Sequence, residues 1–168
     1  MTNGSPIFLC GALCGCLLWG VPASHAQVPP RTIAQFTQGD ISFSQGGRGY
    51  TAALVAGRID VSEELAGEAP IEVRTLYLQF AFLKTGADAT PDVILILTNA
   101  DGPRMYEGSD LLVFSVQTSG GGQSVLQTGR GGCSVALTRL SRSGVQGTAR
   151  CEGMAGLPVT DVFFTAAP

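Results

Sequence analysis

Histidine occurs once in this chain, at His25, tryptophan once, at Trp19, and lysine once, at Lys84. His25 and Trp19 both fall in an N-terminal stretch that reads as a removable leader, so the remaining chain lacks both residue types. Without histidine there is no Ser-His or Cys-His pair to activate a nucleophile. "GCSVA" (132–136) approaches a nucleophile elbow around Ser134, but only a lysine dyad would serve it, and nothing links Lys84 to that serine. A zinc site is excluded in the same way, because the two cysteines left after the leader fall short of a four-ligand set. Basic residues are also scarce: 10 Lys and Arg stand against 13 Asp and Glu, for a formal net charge of −3. These charges are dispersed, which argues against nucleic acid or an anionic membrane surface as partner.

The leader is the apolar run Ile7–Val21, uncharged and broken by Pro22. It is too short to span a bilayer comfortably and suits the h-region of a secretory signal. Ser24 and Ala26 supply small residues at the −3 and −1 positions, which places cleavage between Ala26 and Gln27. No Lys or Arg precedes the run. A competing reading takes "LCGC" (13–16) as a lipobox with Cys16 as the acylated residue; against it, Leu17, Leu18 and Trp19 continue the apolar run past that cut. The expected organisation is a signal peptide over 1–26, an extended spacer with tandem prolines over 27–38, and one domain over 39–168. The setting is periplasmic or extracellular, with membrane attachment only if Cys16 carries a lipid.

Beyond the leader the sequence alternates with period two, punctuated by Gly, Asp, Asn and Pro. "DISFSQ" ends in "GGRG", and "YTAALVAGRIDVS" comes next. "EELAGEAP" has room for one helical turn before Pro70 stops it. "IEVRTLYLQFAFLKT" sets Leu76, Leu78, Phe80 and Phe82 on one face, and its aromatic content favours strand over helix. "DVILILTN" is apolar on both faces, and "DLLVFSVQT" places Leu112, Phe114 and Val116 together. With "SVLQT", "CSVALTRL", "VQGTARC" and "DVFFTA", the count is about eight or nine strands and no helix. That is the pattern of an all-β antiparallel β-sandwich, with an open β-barrel as the alternative.

Cys133 and Cys151 end two alternating segments that read as a hairpin. A three-residue loop, Ser141–Ser143, sets the cysteines opposite each other; a loop of Arg142–Gly144 makes them a diagonal pair. Either register puts both sulfurs on the apolar face, as expected of a structural disulfide in an exported protein. Seventeen intervening residues exclude a thioredoxin-type redox pair.

Two further patterns carry chemistry only in another context. "GRGYTA" (47–52) matches a relaxed dinucleotide fingerprint, but no strand-to-helix turn surrounds it, and it reads as a glycine-rich hairpin loop. Asp88, Asp92 and Asp101 are loop acids that offer weak candidates for Ca²⁺, without the spacing of an EF-hand loop. No catalytic residue and no cofactor are expected.

The C-terminal third, "GCSVALTRL…GVQGTARCEGM…PVTDVFF", resembles the end of small exported bacterial β-sandwich proteins and lipoproteins of unknown function. The likeness covers a "C-x-V-x-x-T" strand, a "G-x-x-G-T-x-x-C" return and a last "V-x-x-x-F" strand. It implies the fold and the exported setting and transfers no functional residue. The expectation is a binding or structural module of the cell envelope whose partner is an envelope protein or a small ligand. The alternatives are a carrier of a small apolar ligand, lined by Leu76, Leu78, Phe80, Phe82, Leu112 and Phe114, and a carboxylate-based hydrolase.

Overall fold

A computed structural model describes residues 29–66, 69–82, 92–118, 122–125, 132–151 and 158–168. These residues form eleven strands: β1 (Arg31–Phe36), β2 (Gln38–Gln45), β3 (Arg48–Ala66), β4 (Ala69–Ala81), β5 (Val93–Leu97), β6 (Met105–Glu107), β7 (Leu111–Thr118), β8 (Gly122–Val125), β9 (Cys133–Ser141), β10 (Gly144–Cys151) and β11 (Val159–Ala167). One 3₁₀ turn, Gly108–Asp110, precedes β7.

All eleven belong to one antiparallel sheet in the order β6-β9-β10-β11-β2-β3-β4-β5-β7-β8, with β1 also paired to β3. The sheet curls until β7 approaches β9, so it is a nearly closed barrel and not two stacked sheets. Of the two expected architectures, the barrel is the one adopted. Among the described residues no helix is long and apolar enough to cross a membrane. Gln35, Asp40, Arg58, Thr148 and Arg150 stand on the outer wall together with exposed Val55, Ile71 and Phe163, while the interior is apolar.

The long strand β3 organises the barrel. Its far edge carries β4 along most of its length, while its near edge carries β2 and then β1. β1 and β2 therefore run almost end to end beside β3. Residues 31–36, expected in the spacer, are part of the sheet because Ala34 and Phe36 supply buried side chains next to Ile59 and Gly57. The helical turn expected in "EELA" is also strand. Glu63–Ala66 pair with Ala69–Glu72 in a two-stranded ribbon, and that pairing overrides local preference. Pro70 is tolerated there because β5 reaches only to Leu76, leaving that edge of β4 without a ladder to interrupt.

Bulges keep the apolar side chains inside. In β3 the inward set runs Ala52, Leu54, then Gly57, Ile59, Val61, and the change of phase is absorbed at Val55, which is exposed. In β7 the extra residue is Leu112: Leu111, Phe114 and Val116 face inward, correcting the expectation that Leu112 shares their face. In β9 it is Thr138, which lets Leu140 turn inward after Leu137. The β2–β3 connection is a two-residue turn at Gly46 and Gly47, both at positive φ, as a type I′ hairpin requires. Gly47, the first glycine of "GRGYTA", thus serves a hairpin turn, and the rest of the motif is strand.

The interior is one packed cluster. Leu76, Leu78, Phe80, Leu95 and Phe114 have no exposure. At one mouth Phe43 stacks on Tyr50 with ring centroids 5.4 Å apart, and Phe82 leans on both.

Candidate functional site

Cys133 and Cys151 are directly paired residues of β9 and β10, bonded through their sulfurs with Cα atoms 4.0 Å apart. The turn between the strands is shorter than either expected form. Ser141 pairs with Gly144 around the two residues Arg142 and Ser143, and the bulge at Thr138 shifts the ladder by one so that the cysteines meet. Both half-cystines are buried on the inner face, which gives the pair a structural place and no access to a substrate.

Asp92 and Asp101 flank opposite ends of β5, so the structure does not bring these two Ca²⁺ candidates together. Asp92 accepts a hydrogen bond from the Phe82 amide at 2.9 Å, and Asp101 accepts one from Arg104 at 3.0 Å. Asp88 lies outside the described residues, as do Cys16, Ala26 and Gln27. Ser134 lies within β9 and not on a strand-to-helix elbow. Among the described residues no group of three or more His, Cys, Asp or Glu is placed to hold a metal ion.

The densest polar cluster is built on Arg104, in the connection from β5 to β7. Its guanidinium donates to Asp101 (3.0 Å), Asp110 (2.9 Å) and the carbonyls of Asn99 (2.9 Å) and Met105 (3.1 Å), and it lies 4.0 Å from the centre of the Tyr106 ring. Asn99 adopts a left-handed conformation, φ 51°, and donates from its amide to Asp110. Tyr106 is fully buried, with its hydroxyl donating to the Gly102 carbonyl at 2.5 Å. The hydrogen bond from Arg104 holds the Asp101 carboxyl below its ordinary range, and Asn99 followed by Arg104 does the same to Asp110. Burial pushes the Tyr106 phenol up. The bonds of Arg104 are all spent within the loop, so the cluster is a latch that folds residues 98–110 over the barrel end.

A different arrangement stands on the outer wall where β1, β3 and β4 lie side by side. Register places Gln35, Arg58 and Tyr77 in one outward row. The next row pairs Ala56 with Gln79, and Thr37 continues it from β1. Five of these six outward positions carry sizeable or polar side chains, and the middle of the second row carries alanine. The result is a dent of about 210 Å3, open to solvent and walled by Gln35, Thr37, Arg58, Tyr77 and Gln79. Arg58 is fixed from two sides: its Nε donates to Asp60 at 2.7 Å, and its guanidinium lies 4.4 Å from the centre of the Tyr77 ring. Asp60 also accepts from the Thr32 hydroxyl at 2.6 Å, and its side chain is only 10% exposed on a face that is otherwise solvated. Beyond Tyr77, the same rows continue into the half-buried Ile96 and Ile94 of β5, the outward half of the doubly apolar strand read from "DVILILTN".

No family model, curated protein or solved structure matches this chain. The dent was not legible as a motif, because its residues come from three strands. Its one sequence signal is polar side chains at alternate positions of β4 and β3, broken by Ala56. The Arg104 latch had a clearer signal: an acid and an arginine three residues apart in the turn sequence "DGPR".

Proposed function

We propose that this protein is an exported, non-catalytic binding module of the cell envelope, and that it contacts its ligand through the outer-wall dent centred on Ala56. The observation that carries the reading is the fixed Thr32–Asp60–Arg58–Tyr77 chain beside an open, polar-walled depression. A β-wall does not need an acid buried on its outer side in order to fold, and ordered polar side chains around a concavity are what a recognition surface requires. The disulfide supports an oxidising compartment.

The competing functions draw less support. A carrier of an apolar ligand needs internal space, and Leu76, Leu78, Phe80 and Phe114 fill the interior as core. A carboxylate hydrolase needs two carboxyls facing each other across a cleft, whereas Asp101 and Asp110 are both tied to Arg104 within one loop.

Sedimentation with isolated envelopes of the producing cell tests the proposal. The mature chain is expected to pellet with them, and Ala56→Gln, which fills the dent, is expected to stay in the supernatant. Equal pelleting of the two proteins, or none for either, would contradict it.

A further inference from the structure

We infer that the dent takes one neutral sugar ring, an uncharged polyhydroxyl ligand of the kind that envelope glycans present; this rests on the binding reading above. Size points to a single ring. About 210 Å3 lies below the roughly 300 Å3 at which pockets for drug-sized ligands begin. The wall chemistry points to hydroxyls. Gln35 and Gln79 stand on opposite sides of Ala56, and each amide offers two N–H donors and a carbonyl acceptor, matching groups that both donate and accept. Among the described residues neither side-chain amide is engaged by another protein group. Charge points to a neutral ligand. The one cation among the residues lining the wall, Arg58, is already balanced by Asp60 at 2.7 Å, so the dent presents no net charge for a carboxylate or phosphate to meet. Tyr77, whose ring borders the dent, supplies an apolar flank for the C–H face of the sugar ring.

The test is weak-affinity chromatography of the disulfide-bonded mature chain on gels bearing glucose, galactose or N-acetylglucosamine, beside a gel bearing carboxylates. The wild-type chain is expected to be retarded on at least one neutral gel and released by the free sugar. Ala56→Gln should lose that retardation, and Gln79→Ala, which leaves the dent open, should weaken it several-fold. Asp60→Asn keeps the shape but leaves Arg58 unbalanced, and should move retention toward the carboxylate gel. Wild-type retention on the carboxylate gel alone overturns the sugar class while leaving the binding reading intact. No retention on any gel, with envelopes still bound through the dent, also overturns it. No retention together with no envelope binding removes both readings.

Discussion

Gly147 of β10 lies directly opposite Phe164 of β11, and the Phe164 ring closes over the space a side chain at 147 would need. A Cβ there would meet Phe164 Cζ at 2.7 Å and the Ala136 carbonyl oxygen at 2.7 Å. Gly147→Ala should therefore destabilise the barrel by about 1–3 kcal/mol through overpacking. This outweighs the roughly 0.4–1 kcal/mol that a less flexible unfolded chain contributes in the other direction. Urea unfolding measures the sum, and an unchanged or raised midpoint would show that the ring yields without cost.

The Cys133–Cys151 bond closes a short loop, with a sequence separation of 18. The chain-entropy relation gives it about 3 kcal/mol. The double variant Cys133→Ala, Cys151→Ala should lose about that much while keeping its β-rich circular dichroism. Intact mass of the protein purified without reductant should show a deficit of two hydrogens that reduction restores. Free thiols at both Cys133 and Cys151 in that protein would contradict the staple.

Arg104 ties Asp101 and Asp110 into the latch, and both carboxyls titrate below their ordinary value in the folded state. A depressed folded pKa gives stability that is fully present above the unfolded value, about 4, and is lost as pH falls through the folded one. Thermal stability should thus decline below about pH 4. Arg104→Met should cost about 1–2 kcal/mol at neutral pH and flatten that decline, since the exposed parts of the network are screened. An acid limb as steep in Arg104→Met as in the wild type would place the titrating groups elsewhere.

Ala56 points outward from β3 with open space above it. Most of the dent's lining faces outward, with Phe36 the one core residue bordering it, so Ala56→Gln should change unfolding free energy by no more than about 0.5 kcal/mol. Matching urea midpoints for the two proteins check this. A larger loss would mean that the binding variant acts through the fold.

The alternation of Leu76, Leu78 and Phe80 is enough to identify β4 and the inside of the barrel. Closure into one sheet is not readable from alternation, because an inward row has the same period whether it faces a second sheet or the far wall of a barrel. The phase changes were not read from the sequence, and Leu112 was placed on the wrong face for that reason. The bulges between Leu54 and Gly57 and between Leu137 and Leu140 show only in the register of the paired strands. The disulfide was legible from the two cysteines sharing a face, but the turn between them was not, since the slip at Thr138 compensates for a loop one residue shorter. The dent depends on the register of β1 against β3 across a bulge at Ile33, and that is fixed by tertiary pairing alone.

The proposed binding at the dent would be most directly visible in the amide ¹H–¹⁵N spectrum of a chain spanning residues 27–168, recorded with and without solubilised envelope glycan. The shifted signals should cluster at Gln35, Thr37, Ala56, Arg58, Tyr77 and Gln79 on the β1–β3–β4 wall. Shifts gathered instead around Thr148 and Phe163 on the β10–β11 wall, or spread over the loop held by Arg104, would contradict a ligand site at Ala56.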